Sequence, residues 1–134
     1  MPVLVDSNVL IDILGDPGPW TAWSADALAA IAEEHELVIN PVVYAEIAVG
    51  YESIEELEAA IPTSLLRREE IPYPAAFLAA TCFRDYRRRG GIRTGVLPDF
   101  LIGAHAAVAG LRLLTRDARR FRTYFPTLDI IAPG

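Results

Sequence analysis

The stretch Val3-Leu4-Val5-Asp6-Ser7-Asn8-Val9-Leu10-Ile11-Asp12 decides how this chain is read. Its first three residues are apolar, two of them β-branched, in a run too short for a helix and without the alternation of a half-exposed strand. They read as a fully buried strand, and strands covered on both faces belong to parallel sheets. The run stops at Asp6, and a helical pattern follows from about Ser7 to Leu14. The strand therefore delivers a carboxylate at its C-terminal end, where open α/β sheets gather their ligands.

Outward from this unit the pattern recurs. Trp20 to Glu34 reads as a helix with Trp23, Ala27, Leu28 and Ile31 at helical spacing. Leu37-Val38-Ile39 is a strand stopped by Asn40-Pro41, and Val42 to Val49 is a helix. Ser53 with Glu56 forms a capping-box pattern that opens a helix through Ile61. Ala75 to Arg88 and Asp99 to Ala109 are further helices, the latter preceded by Pro98. Leu111 to Thr115 is a strand, Ala118 to Phe121 a helical turn, and Leu128 to Ile131 a last strand. Alternating strands and helices predict an α/β fold, with a central parallel sheet of about four to five strands flanked by helices on both faces. Pro17-Gly18-Pro19 and Gly90-Gly91 read as loops, and no repeat or linker divides the chain, so residues 1-134 are expected to form a single domain.

Composition sets the chemistry that is available. With 52% hydrophobic residues and a mean hydropathy of +0.27, the core needs no covalent staples. The single cysteine, Cys82, excludes an internal disulfide, fits a reducing compartment, and reads as a small core residue. Met1 to Leu14 lacks the basic start of a signal peptide. The longest uncharged stretches, Ile71–Phe83 and Phe100–Leu111, fall short of the ~18 residues of a membrane span. A cytoplasmic protein with no membrane association is expected. The net charge of −6 conceals an asymmetry: residues 1–66 carry twelve acids and no base, while residues 67–134 carry all twelve arginines and six acids. The chain has no lysine, which excludes P-loop phosphate binding, Schiff-base chemistry and lysine-assisted phospho-acceptor sites. Its arginine-rich half can still contact phosphates, because local field matters more than net charge.

Asp6 ends the first strand, Asp117 lies two residues past the strand ending at Thr115, and Asp99 opens a helix. Taken singly, each aspartate reads more readily as a helix N-cap than as a functional residue. Glu46 lies mid-helix with Val42, Val43, Val49 and Gly50 as same-face neighbours, an environment that disfavours an unpaired carboxylate. Four acids at the ends of successive β/α units repel one another unless a cation joins them. An oxygen-only site selects hard divalent ions, Mg²⁺ or Mn²⁺. An aspartyl-phosphate phosphatase would need a second aspartate two residues after Asp6, where Asn8 stands. His105, beside Leu101 and Ile102, reads as a satisfied, partly buried histidine.

Four fragments, in this order and spacing, resemble the PIN-domain ribonucleases, and within them the VapC-type toxins of toxin–antitoxin pairs. They are Leu4 to Asp12, Val43-Tyr44-Ala45-Glu46, Leu97-Pro98-Asp99-Phe100-Leu101-Ile102-Gly103-Ala104-His105-Ala106, and Leu113-Leu114-Thr115-Arg116-Asp117. The resemblance covers essentially the whole chain. It implies that Asp6, Glu46, Asp99 and Asp117 form a catalytic acidic metal site, with Thr115, Ser7 and Asn8 as supporting polar residues. It further implies Mg²⁺, with Mn²⁺ able to substitute, and hydrolysis of RNA phosphodiesters to 5′-phosphate and 3′-hydroxyl ends. A cognate VapB-type antitoxin and a homodimer belong to the same expectation. An RNA-processing nuclease without a toxin role and a non-catalytic PIN-like binding module are the alternative readings. Arg87, Arg88, Arg89, Arg93, Arg116 and Arg119 flank Asp99 and Asp117 in sequence and are read as contacts for the RNA backbone.

Overall fold

A computed structural model describes residues Met1–Gly134. At its centre lies β1 (Val3–Val5), all three residues fully buried, as a strand apolar at consecutive positions requires. It pairs in parallel with β2 (Leu37–Ile39) on one side and β4 (Arg112–Leu114) on the other, so that Leu4 lies opposite both Val38 and Leu113. β3 (Leu66–Arg68) extends the sheet beyond β2, and β5 (Ile130–Ile131) extends it beyond β4. The connections hold seven helices: α1 (Ser7–Leu14), α2 (Thr21–Ala32), α3 (Pro41–Ala48), α4 (Ile54–Ala60), α5 (Tyr73–Arg88), α6 (Leu97–Ala109) and α7 (Arg119–Tyr124). The order β3-β2-β1-β4-β5 means that the chain winds outward from β1, then returns to its other side. The reversal places a topological switch point between β1 and β4, where the sheet opens a crevice past its strand ends. The residues that leave those two strands are Asp6 and Thr115.

The five-stranded parallel sheet fulfils the expected architecture, and its edges account for what the sequence reading missed. Leu66-Arg67-Arg68 contains one apolar residue and gives no strand signal, yet it pairs with β2 as an edge strand. Its arginines are held by Glu36, Glu69 and Glu58, and such charge protects an exposed edge from further pairing. Helix α6 starts at Leu97 rather than Asp99, because Pro98 fits the first turn, where its fixed φ is favourable and its missing N–H costs nothing. Asp99 therefore lies inside the first turn and is not a cap. Helix α7 runs from Arg119 to Tyr124, one residue later and longer than the expected turn.

Two contacts set the helices that frame the crevice. Gly103 lets α6 sit directly against α7, since a Cβ there would collide with the Phe125 ring. Asn40 caps α3, its Oδ1 accepting from the Val43 N–H at 2.9 Å, while its Nδ2 meets His105 Nδ1 on α6 at 3.0 Å. With Oδ1 committed to the cap, the amide must donate to the ring, so His105 accepts at Nδ1 and carries its proton on Nε2. His105 is fully buried rather than partly, and Nε2 has no hydrogen-bond partner; the Glu69 carboxylate lies 3.6 Å away. Burial holds its pKa below the usual histidine range, against the pull of Glu69. One buried amide thus joins the helices that carry Glu46 and Asp99. Asn40→Ala removes a cap and strands a buried ring nitrogen, and should cost about 2–4 kcal/mol by urea unfolding. Asn40→Ser, which keeps the cap alone, should recover about 1 kcal/mol of that. A loss below ~0.5 kcal/mol in the alanine variant, the range of an ordinary surface substitution, would remove this pin from the account.

Candidate active site

Because β1 is the central strand, the residue that ends it is buried although it is charged: Asp6 is 4% exposed. It occupies the N-cap position of α1 but accepts no capping bond. Its Oδ2 instead accepts from the Thr115 hydroxyl at 2.8 Å. Ser7 Oγ lies 3.5 Å from Asp6 Oδ1 and donates to Glu46 Oε1 at 2.7 Å, tying α1 to α3. Asn8 donates from Nδ2 to Thr115 Oγ1 at 3.3 Å and accepts from the Arg116 N–H at 3.3 Å, tying α1 to the loop after β4. Ser7, Asn8 and Thr115 therefore form one polar brace around Asp6. All three were expected as supporting polar residues from the resemblance alone.

The remaining acids gather around this brace. Asp6, Asn8, Asp99 and Asp117 line a cleft of about 530 Å³ together with Arg93, Arg119, Arg120, Tyr86 and Tyr124. Glu46 borders an adjoining groove and reaches Asp6 through Ser7. Glu46 is half-buried: of the neighbours expected on its face, Val43 lies in the core and Val42 packs against it, whereas Val49 is 88% exposed. Asp117 accepts from the backbone N–H of Arg119 at 3.4 Å and from its guanidinium at 3.2 and 3.3 Å. Asp99 accepts from Arg120 at 2.6 Å.

Burial and like charge act together here. Desolvation chiefly, with added repulsion from Asp99 and Glu46, pushes Asp6 up to about 7 against the stabilising Thr115 bond. Burial also raises Glu46, with Asp99 adding to it, and raises Asp99 in spite of Arg120. Asp117 moves the other way, held low by its bonds to Arg119. Three mutually repelling carboxylates with raised pKa values, offering only oxygen donors, fit a hard divalent cation in charge and in donor type. No three acids close on a common point in this arrangement, in which Ser7 bonds Glu46, Arg120 bonds Asp99 and Arg119 bonds Asp117.

The arginines divide. Arg93 and Arg119 reach the cleft, and Arg88 and Arg89 line an adjacent groove that shares Thr123 and Tyr124 with it. Arg87 lies over Phe83, and Arg116 pairs with Asp12 at 2.8 Å beneath Trp20, away from the cleft. Arg120 was the residue overlooked in that set. Its sequence signal was its place among the arginines that follow the last strand, and its partner Asp99 became visible only once α7 was found to pack on α6.

No curated protein matches the chain in sequence. Among solved structures, it superposes on a chain of VapBC2 from Rickettsia felis bound to a DNA fragment from their promoter, with a TM-score of 0.73 and 18% identity over 98% of each chain. It is similar also to VapBC-1 from nontypeable Haemophilus influenzae, with a TM-score of 0.72 and 18% identity over 98% of each chain. A toxin–antitoxin complex from Klebsiella pneumoniae gives a TM-score of 0.70 and 22% identity, again over 98% of each chain. These likenesses are of fold. The sequence itself matches the profile of the PIN domain over residues 3–125, a span that runs from the central strand through all of the acids and the final helix. On that match, the chain belongs to the PIN-domain family.

Proposed function

We propose that this protein is a Mg²⁺-dependent endoribonuclease that acts as the toxin of a toxin–antitoxin pair. The observation that carries the reading is Asp6: a carboxylate buried at the end of the central strand, braced by Thr115, beside two further acids in a cleft edged with arginines. Asp6, Glu46, Asp99 and Asp117 are the residues that would hold the cation. When bound, the ion supplies Lewis acidity toward the phosphodiester and the attacking water, with Mn²⁺ able to substitute. The chain's own residues supply the remainder. Thr115 and Ser7 orient the carboxylates of Asp6 and Glu46 by donating their hydroxyl protons to Oδ2 and Oε1. Arg93 and Arg119 present donors to the RNA backbone on either side of the acids, and Arg88 and Arg89 extend the track.

The partner half rests on surface chemistry. The groove of about 360 Å³ beside Glu46 is lined by Ile11, Leu14, Ile47, Val49 and Tyr51, an apolar seat next to an acid. An antitoxin segment with apolar anchors and a basic side chain fits it, and the similarity to VapBC and other toxin–antitoxin structures supports the choice. Tyr73 and Phe77, one turn apart on α5, are 92% and 73% exposed and offer a surface for a homodimer. Induction of the chain alone should arrest growth and yield RNA fragments with 5′-phosphate and 3′-hydroxyl ends. Unchanged growth and intact RNA, from a purified protein that still cuts RNA, would remove the toxin role and leave the nuclease.

Asp6→Asn and Asp99→Asn should each lower RNA cleavage at least 100-fold, on the order of losing one positioned group in a catalytic site. In wild type, millimolar Mg²⁺ or Mn²⁺ should raise the melting temperature, because the ion binds the native state alone. Undiminished cleavage by either variant, or no thermal shift in the wild type, would count against the acidic site.

The metal-free protein should also show a pH signature. Asp6 titrates near 3.8 when unfolded and at about 7 in the fold. Between those values the folded state keeps a proton that the unfolded chain has released. Stability therefore falls as pH rises from about 4 to about 7, by up to about 4 kcal/mol, and levels off above. Asp6→Asn should flatten most of this slope in chelator-treated protein. Parallel stability curves for the two proteins across that window would show that Asp6 is not the strained group.

A further inference from the structure

Arg120 stands inside the acidic cleft rather than on its rim. Its Nη1 donates to Asp99 Oδ2 at 2.6 Å, and its side chain is 23% exposed, whereas Arg119 beside it is 90% exposed. Arg119 grips both oxygens of Asp117. Arg120 uses a single hydrogen bond, which leaves most of its five-donor fork without a protein acceptor. The guanidinium also lies 5.8 Å from the centre of the Tyr86 ring. That ring is fixed in an aromatic cluster with Phe83, Phe100 and Tyr124, and its hydroxyl accepts from the Arg93 N–H. The platform is independent of Asp99, so it can hold the arginine in place whichever anion the arginine faces. Arg120 borders both the 530 Å³ cleft and a second cleft of about 430 Å³, which the two share along Arg93, Asp99 and Arg120.

A guanidinium this close to Asp99 and a divalent cation on the same carboxylate repel each other, so the two positions compete. The acids need a positive partner in the absence of metal, and the negatively charged RNA needs one in its presence. One arginine on a fixed aromatic platform can serve both. We infer that Arg120 is the resident counter-ion of the cleft: it holds Asp99 until a divalent cation takes that carboxylate, and is then released to bind the substrate phosphate. The inference rests on the metal-dependent ribonuclease reading above and adds a substrate-binding residue whose availability is set by the metal.

The test is a pair of titrations on the full chain, comparing wild type with Arg120→Ala and Arg120→Gln, the latter keeping a side chain over Tyr86 if the alanine variant folds poorly. Calorimetry with Mn²⁺ alone should show tighter binding in the variants, by roughly tenfold, as expected for removing one half-buried like charge. A single-stranded phosphorothioate RNA, which resists cleavage, should bind the variants about tenfold more weakly when Mn²⁺ is saturating, the scale of one lost phosphate contact. Without Mn²⁺, wild type and variants should bind it alike. A purely structural role would not produce that crossing. Equal Mn²⁺ affinities overturn the inference and leave the nuclease reading intact, and so does an RNA deficit of the same size with and without Mn²⁺. Failure of wild type and variants alike to bind Mn²⁺ would overturn both together.

Discussion

Burying a carboxylate at the end of the central strand is the constraint around which this molecule is arranged. Asp6 meets solvent only at the cleft and is 4% exposed, because it ends a strand covered on both faces and paired on both edges. A lone buried charge is expensive, and the fold answers with a directed hydroxyl from Thr115 rather than with an ion pair. That choice keeps the second carboxylate oxygen free of any strong partner, since Ser7 directs its proton to Glu46. A salt bridge to Asp6 would have committed both oxygens and left none for a ligand. Sites of this kind trade stability for function.

The rest of the fold can be understood as support for that group. The reversal of strand order puts Asp6 and Thr115 on neighbouring strand ends, where their side chains can meet. Asn40 and His105 lock α3 to α6, which sets Glu46 and Asp99 relative to each other. Gly103 lets α7 close on α6, so that Arg120 comes to Asp99. Asp12 also contributes at a distance: it accepts from Ser24 and Arg116, each at 2.8 Å, and so ties α1 and α2 to the loop that carries Asp117. Of these pairs, Asp12–Arg116 joins the acidic first half of the sequence to the basic second half.

How much of this was legible in the sequence depended on the physics of each element. β1, β2 and the helix after each were readable because burial on both faces leaves a continuous apolar run that ends abruptly. β3 was not, because an edge strand is selected by its backbone pairing and tolerates Arg67 and Arg68 on its exposed sides. The acids were legible as residues but not as an arrangement: the capping role open to Asp6 and Asp99 is one that neither side chain performs. Glu46 was singled out for its apolar neighbours; it is half-buried beside them, and its bond to Ser7 supplies the partner such a position requires. Arg120 was hidden for a further reason. Its neighbour in sequence is Arg119, yet its partner is Asp99, across a helix–helix contact that only the small volume of Gly103 permits.

Whether the acids around Asp6 are a cation site is tested most directly by a crystal structure of the protein grown in millimolar Mn²⁺. Anomalous scattering should place an ion in the cleft, bonded to Asp6 and Asp99, with carboxylate oxygens at roughly 2.0–2.3 Å as hard octahedral ions require. Arg120 should have left Asp99 in that structure. An ion elsewhere on the surface, or an empty cleft in which Arg120 still holds Asp99 at saturating Mn²⁺, would contradict the cation site.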